Sequence, residues 1–260
     1  MNVEGGLNAL LFNPFCIMGK IRVIKKMNLT RIWRYQLIIM ILFLSPCTHA
    51  FTTDVSCIFE TTEQRVSVDQ HDEHDHKART NKWYFWRTDK EVEVANAERS
   101  FGEKWIKSNQ QNVFYQALYH KKNFLLNFQP VDLALLGKKQ NWENRSRLFP
   151  QVILKQLTKQ GSGKFNQYQV VNYKGIVSGT EYQVAWLPEV QLPLRVEKTS
   201  FNKKIITELK EIYPLDKSPY KRSNTEKYED MDYADIGDNE SHPIVSQLQN
   251  NSGVGYFHHH

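Results

Sequence analysis

Large aromatic side chains recur at every second position in the middle of the chain, and this alternation constrains the fold more than any other feature. It is clearest in KWYFWRT, 82–88, where Trp83 and Phe85 share one parity, and it returns twice in NVFYQALYHKKNFLLNFQP, 112–130. Side chains at alternate positions lie on one face of a β-strand, and aromatic residues favour strands. The second stretch therefore predicts a β-hairpin that Pro130 closes.

A helical period interrupts the alternation once. In NWENRSRLFPQVILKQLTKQG, 141–161, apolar residues follow three- and four-residue spacing. Pro150 divides the segment into two short helices, and Gly161 is expected to end the second one before a flexible GSG joint. Further strands are predicted at 90–96, 167–175, 180–189 and 191–200. The run KIITELKEIYPL, 204–215, fits either a helix or a strand.

This order of elements predicts an α+β protein. Strands, a short helical insert and more strands indicate an antiparallel sheet and argue against a doubly wound parallel one. The predicted divisions are 1–50, an N-terminal extension and secretory signal; 51–81, a polar lead-in rich in His and acids; 82–215, the sheet domain; and 216–260, an acidic, partly disordered tail.

The segment MNLTRIWRYQLIIMILFLSPCTHA, 27–50, predicts export. Two arginines precede a short apolar run, and a helix-breaking Pro46 and a small-ended THA follow, as in a secretory signal. The apolar run is shorter than the roughly 20 residues of a membrane span, so no stable span is expected after cleavage, although an uncleaved anchor is the alternative. Met27 is a candidate start, with the residues before it an extension.

Cysteine usage leaves two questions open. The run LSPC, 44–47, resembles a lipobox except at Pro46, so a lipid anchor at Cys47 is the alternative to a soluble periplasmic protein. Cleavage after Ala50 leaves Cys57 as the one cysteine, which excludes an internal disulfide. Cys57 is then a buried small side chain, an intermolecular partner or a metal ligand.

Charge argues against nucleic-acid binding. The net charge is +6, with 34 Lys and Arg against 28 Asp and Glu. Six of the basic residues and one acid lie in 1–50, so 51–260 has a net charge of only +1. Nucleic-acid binding needs a basic face on the folded domain, and this charge does not predict one.

No motif predicts an enzyme. The sequence has no P-loop, no dinucleotide fingerprint, no G-x-S-x-G and no H-E-x-x-H. His120 is the one histidine among the predicted strands and helices, and at a hairpin tip beside two lysines we expect it to be solvated. A non-enzymatic protein is therefore predicted.

Two histidine-rich stretches are candidate metal sites. QHDEHDH, 70–76, places imidazoles among carboxylates, and the chain ends in HHH. Such donors bind Zn²⁺ or Cu²⁺, whereas a solvated linker and the remnant of an expression tag are the competing interpretations. The candidate ligands are His71, His74, His76, His258, His259 and His260.

A ligand groove is the second candidate site. Six aromatic residues of the predicted strands are its candidate lining, although an ordinary core would place them inside equally well. They are Trp83, Phe85, Phe124, Phe128, Tyr182 and Trp186.

The run YKGIVSGTEYQVAWLPEVQLPLRVEKTS, with its Leu192-Pro193 step and the strands of Tyr173, Tyr182 and Trp186, resembles the lipoprotein-carrier-like periplasmic proteins over about 82–215. It is also similar to uncharacterised exported proteins of Gram-negative bacteria. The first resemblance implies a half-barrel, meaning a curved, unclosed antiparallel sheet around helices with an apolar cavity. It further implies a binding or carrier protein whose partner is an apolar or lipid-like ligand or another envelope protein. The histidines support the alternative of a periplasmic Zn or Cu buffer or a metal-responsive accessory protein.

Overall fold

One twelve-stranded sheet organises the chain in the computed structural model, which describes residues 54–65, 78–110, 112–138, 141–239 and 241–245. The strands are β1 Val55–Arg65, β2 Arg79–Arg87, β3 Glu91–Asn96, β4 Phe101–Lys107, β5 Val113–Tyr119, β6 Phe124–Phe128, β7 Thr158–Phe165, β8 Tyr168–Val177, β9 Thr180–Leu187, β10 Leu192–Ser200, β11 Lys203–Pro214 and β12 Glu229–Asp232. The α-helices described over their whole length are α1 Pro130–Leu135, α2 Trp142–Arg147 and α3 Gln151–Leu154. The 3₁₀ segments are His120–Lys122, Leu215–Lys217 and Tyr233–Asn239. None of the helices described here has the length and apolar character to span a membrane.

The strand order is β12-β6-β5-β4-β3-β2-β1-β11-β10-β9-β8-β7. Neighbouring strands are antiparallel except β12, which runs parallel to β6. The sheet is curved and unclosed, with β12 and β7 at its two ends and the three helices inserted between β6 and β7. This confirms the predicted α+β, half-barrel-like fold with a short helical insert.

The predicted hairpin of 112–130 is β5 and β6, joined by the 3₁₀ turn His120–Lys122. Its aromatic residues meet across the strands, with Tyr115 opposite Phe128 and Tyr119 opposite Phe124. Because these residues occupy alternate positions along both strands, their rings lie on one face of the sheet.

The sheet is wider than the predicted boundaries 82–215. Residues 55–65, predicted as part of a polar lead-in, form β1, which pairs with β2 on one side and β11 on the other. Val55, Cys57 and Phe59 are buried there. The polar second half of β1 is held by hydrogen bonds to both neighbours, so its order does not depend on apolar side chains. At the other end, the tail contributes β12.

The predicted helix of 141–161 is wrong at its C-terminal end. The structure has α2 and α3 on either side of Pro150, as expected, but α3 ends at Leu154 and β7 begins at Thr158. The predicted flexible joint is therefore part of a strand, because β8 supplies the hydrogen-bonding partner for Thr158–Phe165. The run 204–215 is a strand for the same reason, since β1 and β10 flank it.

The two faces of the β1–β6 half are covered by different segments. One face carries Phe85 and Trp105 and packs against α1 and α2; we call it the helix-covered face. The opposite face carries Trp86 and Glu93 and is crossed by residues 218–228, which we call the strap. After the strap, the chain pairs with β6 through β12.

Candidate functional site

The six candidate groove residues are all buried, with side chains at most 9% exposed. Four belong to one large hydrophobic cluster: Trp83, Phe85, Phe124 and Phe128. The other two lie in a smaller cluster with Phe149, Leu154 and Leu157. The structure therefore brings the first four together and places Tyr182 and Trp186 elsewhere, and in the described arrangement both sets are core.

Aromatic rings form two contacting groups on the helix-covered face. Phe59 stacks on Trp83, with ring centres 4.6 Å apart, and meets Phe85 edge-on at 6.2 Å. Trp105 and Tyr115 lie 4.2 Å apart, and Tyr115 lies 5.1 Å from Phe128. Rings at such separations pack favourably beyond their buried area, so this face is a broad aromatic surface.

A buried carboxyl lies within this surface. Glu103 lies directly opposite Val94 on one neighbouring strand and Ala117 on the other, and it is two positions along β4 from Trp105. The Tyr115 hydroxyl donates to Glu103 Oε1 at 3.4 Å. Burial raises the pKa of Glu103 to about 7, and the Arg145 charge, the Tyr115 hydrogen bond and the Lys138 charge oppose this rise. Glu103 therefore changes charge near neutral pH.

Helix α2 carries Arg145, whose charge interacts with that of Glu103. Asn141 caps the helix by accepting from the Glu143 N–H at 2.8 Å. One turn later Arg145 lies over the Trp105 ring, 4.5 Å from its centre. Burial lowers the pKa of Arg145, and the Glu103 charge opposes that shift. The guanidinium thus lies over an aromatic ring and interacts electrostatically with Glu103.

A second arginine fixes the position of α2. Arg87 is almost fully buried and donates to the Ser146 carbonyl at 2.7 Å and to the Val190 carbonyl at 2.6 Å. It connects β2, α2 and the β9–β10 loop. Burial lowers its pKa to about 10, so Arg87 stays charged at neutral pH.

Sequence reasoning did not single out Glu103, Arg145 or Arg87. A usable signal existed for Glu103, because in EKWIKSN the acid has the same parity as Trp105 and must share its face. The sequence contains no local pattern that would indicate which helix covers that face.

The strap-covered face holds a polar network. Glu93, 2% exposed, accepts from the Ser223 N–H at 3.0 Å and from Arg222 Nε at 3.4 Å. Arg222 also pairs with Glu91, which in turn pairs with Lys104. These contacts fasten the strap to β3 and β4.

His120 belongs to this network, which corrects the expectation of a solvated hairpin-tip histidine. Its Nδ1 lies 2.9 Å from the Tyr228 hydroxyl, and its Nε2 lies 3.4 Å from Ser223 Oγ. Burial lowers the pKa of His120, the Glu93 charge opposes this, and the Arg99 charge adds to it. Through its contacts with Tyr228 and Ser223, His120 connects the strap to the hairpin tip.

Cys57 is a buried, free thiol in the sheet core. Burial raises its pKa, with a small opposing effect from Arg87. Of its three possible roles, the observed one is that of a small buried side chain.

The candidate metal ligands lie outside the described residues: His71, His74, His76, His258, His259 and His260. Within the described part of the chain, no three His, Cys, Asp or Glu side chains come close enough to hold an ion. Zinc or copper binding by the two histidine-rich stretches stays a prediction.

Comparisons with known proteins report fold-level likeness only. No family model and no curated protein matches the chain. Similar solved structures include PNGF-II, at 12% identity over 70% of this chain and 33% of that one, with a TM-score of 0.35. MucB in complex with MucA(peri) matches at 7% identity over 69% of this chain and 57% of that one, with a TM-score of 0.32. A putative outer membrane lipoprotein-sorting protein domain from Vibrio parahaemolyticus matches at 8% identity over 67% and 90%, with a TM-score of 0.28.

The chain spans about a third of the length of PNGF-II. The sorting-protein domain and MucB are of the kind that the sequence resembles. At these TM-scores the likeness says nothing about what this chain binds.

Proposed function

We propose that this chain is an exported, non-enzymatic binding or carrier protein whose ligand is apolar or lipid-like. One observation carries the proposal: the short helices α1 and α2 cover part of an aromatic sheet face that contains a buried carboxyl. Small-molecule sites are mostly apolar surfaces with a few placed polar groups, and this face has that composition.

The helical roof is the part that would move. Helices α1 and α2 have six residues each, of which two and one are buried. Leu135 in α1 is 82% exposed. Segments with so few buried contacts open at lower free energy than central strands. A ligand would therefore enter between the roof and the sheet, next to Trp105 and Tyr115.

The polar groups would receive the polar end of the ligand. Glu103, Arg145 and the Tyr115 hydroxyl lie at one place on an otherwise apolar face. A buried polar group of a ligand needs hydrogen-bonding partners, and these three side chains offer both donors and acceptors. A lipid-like molecule with one polar end suits this arrangement.

The location in the proposal rests on the signal-like segment 27–50, which lies outside the described residues. Cleavage after Ala50 would release a periplasmic protein. Lipid anchoring at Cys47 is the alternative, and it would hold the same binding domain at a membrane surface.

Contact quenching of tryptophan by dibrominated stearate tests the proposed ligand position. Bromine atoms quench a tryptophan that they touch, so the acid should lower the emission of the folded domain in a saturable way. Replacing Trp105→Phe should remove a large part of this quenching. The matched control is Trp86→Phe on the opposite face, whose indole donates to the Tyr220 carbonyl of the strap at 2.9 Å.

The two variants separate the outcomes. Quenching that falls with Trp105→Phe and persists with Trp86→Phe supports a ligand under the helical roof. Equal quenching in both variants, or none that saturates in the parent protein, would rule this position out.

A further inference from the structure

The two edges of the sheet differ. The edge formed by β6 is covered by β12, which the chain itself supplies. The other edge is β7, an eight-residue strand that, among the described strands, pairs with β8 alone. Every residue from Thr158 to Lys164 is exposed, so both faces of this strand meet solvent. An open edge of this length offers unpaired backbone N–H and C=O groups to another strand.

The two faces of β7 carry different kinds of side chain. A bulge between Lys159 and Gly161 resets the register. Lys159, Ser162 and Lys164 then lie opposite Tyr173, Val171 and Gln169, all of one parity on β8.

The other face of β7 is open except at Phe165, which ends the strand and packs against the core. It bears Gly161 and Gly163, and a Cβ at either glycine would meet no atom within 4 Å. Glycine within a strand weakens it, and it often marks a place where another backbone or ligand approaches closely. A bulky side chain on an added strand could lie over these two positions.

Charge indicates what would bind this edge. Lys155, Lys159 and Lys164 form no ion pair with any carboxylate in the described ranges, whereas Lys174 of β8 pairs with Glu181 at 3.0 Å. A second copy of the chain suits the edge poorly, because symmetric antiparallel pairing about the middle of β7 sets Lys159 opposite Lys164. Like charges directly opposite each other destabilise a strand pair.

We propose that β7 binds an extended acidic segment of another protein as an added strand of the sheet. Acidic side chains of that segment lie opposite Lys159 and Lys164, and large apolar side chains cover Gly161 and Gly163. Main-chain hydrogen bonds supply the affinity, and the alternating side chains supply the selectivity. The surface is separate from the helix-covered face, so this inference does not depend on the proposed ligand.

A labelled synthetic peptide that alternates Glu and Phe is the probe, and fluorescence anisotropy measures its binding to the full domain. We expect saturable binding that weakens about tenfold when Lys159→Glu and Lys164→Glu are combined, since two attractive pairs become repulsive. The matched control combines Lys121→Glu and Lys122→Glu, two exposed lysines of the 3₁₀ turn, and carries the same change in net charge. That control should bind within about twofold of the parent.

Backbone pairing is tested separately with a peptide of the same sequence that is N-methylated at its central amides. This peptide keeps every charge, but its central backbone amides cannot donate hydrogen bonds to β7, so we expect no measurable binding. Equal binding of the methylated peptide would reduce the interaction to charge and overturn the proposal. Equal affinity of the two double variants, or a stable dimer of the domain in sedimentation without peptide, would overturn it too.

Discussion

Glu103→Gln is the change that probes the interior most sharply, because it removes an ionisable group from a buried position without changing its size. Glu103 lies in one cross-strand row with Val94 and Ala117, and burial raises its pKa from the ordinary 4.5 to about 7. An unfolded chain keeps the ordinary value. The folded and unfolded states therefore bind different numbers of protons between these two values.

The direction and size of the effect follow from that difference. Between pH 4.5 and about 7 the folded state holds the proton that the unfolded state has released, so the free energy of unfolding falls as the pH rises. The fall is complete above about 7. Each pKa unit corresponds to about 1.4 kcal/mol, so ionised Glu103 costs the folded state about 3 kcal/mol.

Urea denaturation of the parent and of Glu103→Gln at about pH 4 and about pH 8 measures this cost. The two proteins should have similar stability at the lower pH, and the variant should be about 3 kcal/mol more stable at the higher one. With a slope of about 2 kcal/mol per molar urea, the midpoint moves by roughly 1 to 2 M.

Glu98→Gln, on an exposed loop, is the control: it keeps Glu103, so its stability should fall with pH as the parent's does. If the difference in free energy of unfolding between the parent and Glu103→Gln is the same at both pH values, the inference that this carboxyl is buried and destabilises the fold when ionised is refuted.

Three further outcomes are expected. Replacing Arg222→Ala leaves the 2%-exposed Glu93 with fewer partners and should lower the free energy of unfolding by about 2 kcal/mol, whereas Lys227→Ala on the same segment should change it little. Because the thiol of Cys57 is buried and its pKa is raised, it should react with a thiol reagent only as fast as the domain unfolds, and rapid labelling under native conditions would contradict its placement. Zinc titration of the mature chain should lose its binding phase when the three histidines of 70–76 become alanine; an unchanged titration would remove that segment as a ligand source.

The strands were predictable where period two is visible in the side chains. The runs around Trp83 and Tyr115 carry large rings at alternate positions, and a helix would scatter those rings over its surface. β1 escaped prediction because residues 60–65 are polar and charged. Their order comes from hydrogen bonds to β2 and β11, and β11 lies far away along the chain.

The interior and the strap depend on contacts that no local pattern encodes. The parity of Glu103 is visible, but its environment depends on α2, which Arg87 holds through the Ser146 carbonyl. Similarly, Arg222 meets Glu93 from 129 positions away. The composition of residues 216–260 alone predicts an acidic, solvated tail, but basic and aromatic residues of this segment bind it to the sheet.

Native mass spectrometry of the mature domain, purified from the periplasm and then incubated with oleate, tests the central claim of lipid-like ligand binding most directly. We expect the purified protein to carry the added mass of one acyl-bearing molecule, or to bind one oleate per chain after incubation. Unfolding, which exposes Trp105 and its neighbours, should release the bound molecule. A spectrum that contains only the ligand-free mass before and after incubation would contradict the claim.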